Sequence, residues 1–117
     1  MNIENLRTFC LDLKGVTEDV KWGNDLCFLV GGKMFCVTNL EGAPSVSFKV
    51  TDAEFDELST SVGIIPAPYM ARNKWVQIQS WERLSVQEWE NYVKQSYELV
   101  KLKLTKKLQK EIDAKQQ

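Results

Sequence analysis

The most informative feature of this 117-residue chain is something it lacks, because it contains no histidine. Histidine is the commonest general base near neutral pH and the commonest nitrogen ligand of zinc and copper. Its absence excludes Ser-His-Asp and Cys-His catalytic sites and every metal site that needs an imidazole. With no catalytic constellation in the sequence, we expect a binding module rather than an enzyme, and we expect no cofactor.

Long apolar runs and a cysteine framework are lacking as well. No segment approaches the roughly 20 apolar residues that span a bilayer, and the opening MNIENLRTF has neither the basic nor the apolar part of a signal peptide. The three cysteines are an odd number, which argues against a complete set of disulfides. We therefore expect a cytoplasmic protein with reduced thiols and no membrane partner, and we expect it to be a monomer.

The charge of the chain is close to balanced overall but is divided unevenly. The net charge is −1, and residues 101–117 hold six lysines against two acids, a net of +4, which leaves −5 for the preceding body. No global basic field attracts nucleic acid. The basic segment could be a nucleic-acid arm, but a solvated, fraying helix end is the simpler interpretation.

Apolar residues at helical spacing predict three helices. Asn2 can cap a first helix that ends at Gly15. The capping boxes Thr51-Asp52-Ala53-Glu54 and Ser85-Val86-Gln87-Glu88 begin a second helix, which ends at Gly63, and a long closing helix. The inward faces comprise Phe55, Leu58 and Val62 in the second helix, and Val86, Trp89, Val93, Tyr97, Val100 and Leu104 in the closing helix, with Leu108 and Ile112 as an extension.

The clearest local signal is a hairpin turn at Gly31-Gly32, between two strand-like runs at 26–30 and 33–37. A type I′ turn needs positive φ at both central positions, which glycine adopts without strain. A two-residue loop would pair Val30 with Lys33 and, further along, Cys27 with Cys36. That pair would be close enough for a disulfide or a shared soft-metal contact, or it would be two small buried residues in a reduced cytosol.

Two further strands are predicted at 45–50 and 74–79, and residues 64–73 between helix and strand are expected to be irregular and to pack against the sheet. The short connections exclude parallel crossovers. The fold class is therefore α+β, with an antiparallel sheet of about five strands flanked by helices in the order helix, strands, helix, strand, helix. We expect one domain at 1–104 and a basic helical extension or tail at 105–117.

An ordered set of short motifs resembles the MmcQ/YjbR family across nearly the whole chain. The motifs are Thr17-Glu18-Asp19, Trp22-Gly23, Val30-Gly31-Gly32-Lys33-Met34-Phe35, Ser47 with Lys49, Pro66-Ala67-Pro68-Tyr69, Lys74-Trp75-Val76 and Gln95-Ser96-Tyr97-Glu98-Leu99-Val100. The resemblance implies a fold similar to frataxin/CyaY and a DNA-binding function, described for the family as a double-wing arrangement. Many relatives carry a histidine near the tryptophan of the loop-strand segment, whereas Arg72-Asn73-Lys74-Trp75 has none.

The candidate binding residues combine aromatic rings with cations, which suits phosphate contact together with base stacking. They are Tyr69, Arg72, Asn73, Lys74 and Trp75 in the loop-strand segment, with Lys33 at the hairpin and Lys49 at a strand end. The aromatic members could equally pack on the core, and the cations could be solvated surface charges.

Three functions remain open on the sequence. DNA binding through this cluster follows from the resemblance, whereas the acidic body alone favours a protein-protein adaptor. A small-molecule or metal-binding domain is the third alternative, although no carboxylates have Ca²⁺-loop spacing. The first helix offers only Glu4 and Asp12 for iron, so iron handling would rest on fold analogy alone.

Overall fold

A six-stranded antiparallel sheet carries the fold in the computed structural model, which describes residues 1–115. In chain order the elements are α1 (Ile3–Leu11), β1 (Val16–Lys21), β2 (Asp25–Val30), β3 (Lys33–Asn39), β4 (Val46–Lys49), α2 (Asp52–Leu58), β5 (Ile64–Pro66), β6 (Trp75–Ile78), α3 (Val86–Lys101) and α4 (Lys106–Asp113). The strands lie in the order β1-β2-β3-β4-β6-β5, with every neighbouring pair antiparallel. The predicted α+β class is confirmed.

The helices begin where the sequence predicted. The Asn2 side chain accepts a hydrogen bond from the Asn5 amide at 2.8 Å, and both predicted capping boxes are formed, at Thr51 with Glu54 and at Ser85 with Glu88. Each side-chain cap satisfies an amide that the helix leaves unpaired, a contribution of about 1 kcal/mol. Local sequence is therefore sufficient to fix these three starting points.

Two strands were not predicted. β1 contains the acidic stretch Thr17-Glu18-Asp19, and Arg7 of α1 donates from Nε to Glu18 at 2.7 Å, which joins this edge strand to the first helix. β5 has only three residues and ends in Pro66. Proline is tolerated there because β5 is an edge strand and needs no further ladder partner.

A β-bulge in β3 overturns the predicted pairing of the two cysteines. Val30 pairs with Lys33 as predicted, but Phe35 is an extra residue in β3, so Cys27 lies opposite Val37 instead of Cys36. Cys27 and Cys36 belong to apolar clusters on opposite faces of the sheet. Both thiols are free, and neither a shared metal contact nor a disulfide between them fits this register.

The two faces of the sheet are packed differently. All four helices lie on one face, the helix face, whose core includes Phe48 with Trp89 at 6.2 Å and Tyr92 at 5.7 Å between ring centroids. The opposite face, the open face, has a small cluster of Cys27, Leu29, Val37, Ala67 and Trp75, against which Met34 and, from the loop at 67–74, Met70 pack. Within residues 1–115, no buried side-chain nitrogen or oxygen lacks a hydrogen-bond partner.

The closing helix is shorter than predicted and is followed by a separate helix. α3 ends at Lys101, and Thr105 caps α4 through the Leu108 amide at 3.2 Å. α4 is amphipathic: its basic residues are exposed, while Ile112 is buried against Gly15, so this segment packs on the body instead of fraying. Residues 116–117 of the predicted tail lie outside the described residues.

One predicted core residue is not in the core. Val62 was expected on the inward face of the second helix, but its side chain is 92% exposed. The reason is that α2 ends at Leu58, before the turn that would have carried Val62 inward. None of the helices between residues 1 and 115 is both long and apolar enough for a membrane span.

Candidate functional site

Two adjoining cavities form a groove that runs along the open face of the sheet to its end beside the Gly31-Gly32 hairpin. Their volumes are about 580 Å³ and 470 Å³. Met34 of β3 and Met70 of the loop at 67–74 line both, so the cavities adjoin at these two residues. Cavities of this size are typical of ligand sites in proteins. We call the 470 Å³ part the lysine end and the 580 Å³ part the aromatic end.

The lysine end brings together three cations from distant parts of the chain. Lys33 follows the Gly31-Gly32 turn, Lys49 is the last residue of β4, and Lys103 lies between α3 and α4. Among the described residues that line this cavity there is no carboxylate. Burial, and after it the nearby Lys103 ammonium, lowers the pKa of Lys49, although Asp52 acts in the opposite direction. An anion placed here would relieve that repulsion.

The position of Lys49 is fixed by hydrogen bonds. Its ammonium donates to the Asn73 carbonyl, and its amide donates to Ser96 Oγ at 2.9 Å. Ser96 Oγ in turn donates to the Phe35 carbonyl at 2.6 Å, at the bulge of β3. Ser96 of α3 is fully buried, so this one hydroxyl joins the bulge, the end of β4 and the closing helix.

The aromatic end has two exposed rings on its rim. Trp22, in the turn between β1 and β2, is 70% exposed, and Tyr69, in the loop that follows β5, is fully exposed. Both have left-handed backbone conformations, with φ of 52° and 64°. The rest of the lining is largely apolar, with polar side chains from Asp25, Asn39, Ser45, Ser47 and Gln77.

No set of three His, Cys, Asp or Glu side chains among residues 1–115 is placed to hold a metal ion. Cys10 and Cys36 are neighbours in the core of the helix face. A hydrogen bond with Cys36, together with burial, raises the pKa of Cys10. Burial likewise raises the pKa of Cys27 on the open face. Raised thiol pKa values keep these groups protonated and unreactive at neutral pH.

Sequence comparison places the chain in a family. A family model described as YjbR matches residues 11–99. The chain belongs to the YjbR family. The resemblance inferred from the short motifs is thereby confirmed. No curated protein matches the chain.

Solved structures share the fold of this YjbR chain. The crystal structure of the Deinococcus radiodurans protein DR2400, described as a DUF419 domain, matches with a TM-score of 0.87 and 24% identity, covering 96% of this chain and 88% of that one. A Pseudomonas syringae protein matches with a TM-score of 0.71 and 16% identity, covering 85% of this chain and 98% of that one. At these identities the likeness establishes the fold alone.

The residues predicted for the site divide into three groups. Lys33, Lys49, Asn73 and Trp75 line the lysine end, although Trp75 is mostly buried and forms part of its wall. Tyr69 lines the aromatic end. Arg72 and Lys74 line neither cavity: Arg72 is exposed to solvent, and the Lys74 ammonium lies over the Phe55 ring of α2, 5.0 Å from its centroid.

Sequence reasoning missed several residues of the groove, Lys103 and Trp22 among them. Lys103 was counted only as one charge of the basic tail, because its position depends on where α3 ends. Trp22 was noted only within the Trp22-Gly23 motif. Its sequence signal is a large aromatic residue inside a turn, where solvent exposure is the rule.

Proposed function

We propose that this YjbR chain is a non-catalytic, cytoplasmic nucleic-acid-binding module, with DNA as its expected ligand. The observation that carries the proposal is the convergence of Lys33, Lys49 and Lys103 on one cavity whose described lining contains no carboxylate. This local concentration of positive charge occurs in a protein whose net charge is −1. A phosphate backbone is the ligand that matches it.

Each part of the lysine end has a role in this proposal. The three ammonium groups contact phosphate oxygens as point charges, and the Asn73 side chain adds a neutral hydrogen-bonding group beside them. Trp75 and Leu104 provide apolar walls beside them, and of the three lysines only Lys49 is partly buried. Lysine contacts of this kind hold the backbone without reading its sequence.

The absence of histidine and the burial of all three cysteines support a binding role over a catalytic one. A thiol acts as a nucleophile only as thiolate, and Cys10, Cys27 and Cys36 are all buried. The groove therefore offers positive charge and apolar surface, and no cysteine is among its described lining residues.

A titration of labelled DNA, followed by fluorescence anisotropy at low and moderate salt, tests the proposal. Three phosphate contacts predict a loss of roughly 40-fold in duplex affinity between about 50 and 200 mM salt. The variant carrying Lys33→Gln, Lys49→Gln and Lys103→Gln should lose this binding and its salt dependence.

The matched control removes the same charge elsewhere, through Lys106→Gln, Lys107→Gln and Lys110→Gln on the exposed side of α4. It should retain most of the affinity. Equal losses in the two triple variants would mean that net charge, not this cavity, governs binding. No binding by the unmodified chain at low salt would overturn the proposal.

A protein-protein adaptor is the second candidate, favoured by the exposed Trp22 and Tyr69 rings and the largely apolar wall of the aromatic end. A peptide held mainly by apolar contacts would bind with little salt dependence, in contrast to a phosphate backbone. The slope of affinity against salt concentration therefore distinguishes the two candidates.

A further inference from the structure

We infer that the groove binds single-stranded rather than duplex nucleic acid, with an unpaired base stacked against Trp22 and Tyr69 while the lysine end holds the backbone. This inference rests on the proposed function, since it assigns the ligand class of the same groove. It depends on the aromatic end, because the lysine contacts to phosphate do not by themselves distinguish a single strand from a duplex.

Packing does not explain the position of Tyr69. Its ring is fully exposed, although tyrosine usually buries most of its surface, and its backbone is left-handed with φ of 64°. That conformation is uncommon for a bulky side chain. The loop around it is nevertheless well held, because the Ala67 amide donates to the Trp75 carbonyl at 3.0 Å and the Met70 amide to the Ala67 carbonyl at 3.1 Å.

Trp22, which lines the same cavity, shows the same combination. Its φ is 52° and its ring is 70% exposed. The turn that carries it is closed by the antiparallel pair Lys21 and Asp25, so the ring is presented by a fixed hairpin end. Strained, exposed residues held by ordered surroundings concentrate at ligand-binding positions.

The lining of the aromatic end suits a nucleobase. Aromatic side chains stack on any base through its π face, and the lining supplies a carboxylate from Asp25, an amide from Gln77 and a hydroxyl from Ser47. In a duplex the base faces are covered by neighbouring base pairs and the edges are paired. Only an unpaired base can place its face on Trp22 or Tyr69.

The length of the groove fits a single nucleic-acid strand that reaches from the aromatic end to the lysine end. Asn39 lies at the aromatic end and Lys33 at the lysine end, and β3 connects them. At about 3.3 Å per residue, that separation is roughly 20 Å. A short run of nucleotides can span it, with the base of one nucleotide on the rings and the phosphates of others on the lysines.

The deciding experiment compares three labelled ligands of equal length: a single-stranded oligothymidylate, a duplex, and an abasic strand with the same phosphates. The unmodified chain should bind the oligothymidylate more tightly than the duplex or the abasic strand. Trp22→Ala and Tyr69→Ala should each weaken oligothymidylate binding by at least about fivefold, the lower end of what stacking on one base provides. Neither should change binding of the abasic strand.

Trp22→Phe and Tyr69→Phe keep an aromatic face and should restore most of the affinity, whereas Val62→Ala, which removes exposed apolar surface elsewhere, should have no effect. Duplex binding as tight as single-strand binding would overturn this inference and leave the lysine contacts standing. So would equal effects of the alanine variants on oligothymidylate and abasic strand. Failure of all three ligands to bind would instead overturn the proposed function itself.

Discussion

The two faces of the sheet differ in how much apolar surface they bury. The helix face buries large rings such as Trp89 and Phe48 completely, in a continuous core that includes residues from all four helices. The open face buries a much smaller cluster and keeps a groove beside it. Stability should therefore depend mainly on the first face, and any ligand binding on the second. Substitutions on the two faces should have separable effects.

The largest effect is expected for Trp89→Ala on the helix face. Trp89 is 0% exposed, contacts the rings of Trp81 and Phe48, and donates from Nε1 to the Trp81 carbonyl at 2.9 Å. Removing such a side chain should lower the free energy of unfolding by about 3–5 kcal/mol. Urea denaturation measures it.

The matched substitution on the open face is Trp22→Ala, which should change the same quantity by no more than about 0.5 kcal/mol because the ring is exposed. Losses of similar size in the two variants would contradict the division between the faces.

A smaller loss is expected for Ser96→Ala. This substitution leaves the Lys49 amide and the Phe35 carbonyl without their buried partner. The expected cost is about 1–3 kcal/mol in the free energy of unfolding. Ser61→Ala, at a serine whose hydroxyl makes only a 3.5 Å contact with the Glu57 carbonyl, serves as the control and should be close to neutral. A neutral Ser96→Ala would show that the bulge does not need this hydroxyl.

The hairpin glycines offer a comparison within a single turn. Both have positive φ, 57° at Gly31 and 80° at Gly32, so alanine at either should cost about 1 kcal/mol of stability. At Gly31 the added Cβ would also lie 2.6 Å from Leu104 Cδ1, whereas nothing lies within 4 Å of it at Gly32. Gly31→Ala should therefore be the more destabilising variant in chemical denaturation. Equal costs would mean that Leu104 moves aside freely.

The smallest effect concerns the ion pair between Arg7 and Glu18. The hydrogen bond from Arg7 lowers the pKa of Glu18, so the pair contributes stability above the ordinary carboxyl pKa and loses it as the pH falls through the lowered value. Arg7→Gln should lower the unfolding midpoint slightly at neutral pH, since the pair is exposed. The variant and the unmodified chain should converge in acid. A difference that persists there would assign the effect to packing of the arginine stem.

The features that sequence predicted are those that depend on neighbouring residues. The helix caps at Asn2, Thr51 and Ser85 and the Gly31-Gly32 turn are set within four residues of chain. The bulge at Phe35 was not predictable in this way. It lets both Phe35 and Cys36 face the helix side, where Phe35 meets Tyr97 at 5.5 Å, so the register follows from packing across the core.

The candidate site was predictable only in part, because some of its residues are positioned by tertiary packing and not by their sequence neighbours. Alternation along β4 and β6 brings Lys49 and Trp75 together, and the hairpin places Lys33 at the end of the sheet. Lys74 was predicted to join them, but its left-handed backbone, with φ of 65°, carries it toward Phe55. Lys103 enters the cavity because α3 stops two residues earlier, at Lys101, a boundary that the continuous apolar stripe conceals.

Binding of an anion at the lysine end is also coupled to folding of the chain. During synthesis Lys33 leaves the ribosome well before Lys103, and the cavity exists only once the connection between α3 and α4 has closed over the Gly31-Gly32 hairpin. A nascent or partly unfolded chain has the same lysines, but they are not yet brought together in one cavity. Any anion that needs all of them thus selects the finished fold and, by mass action, protects it against unfolding.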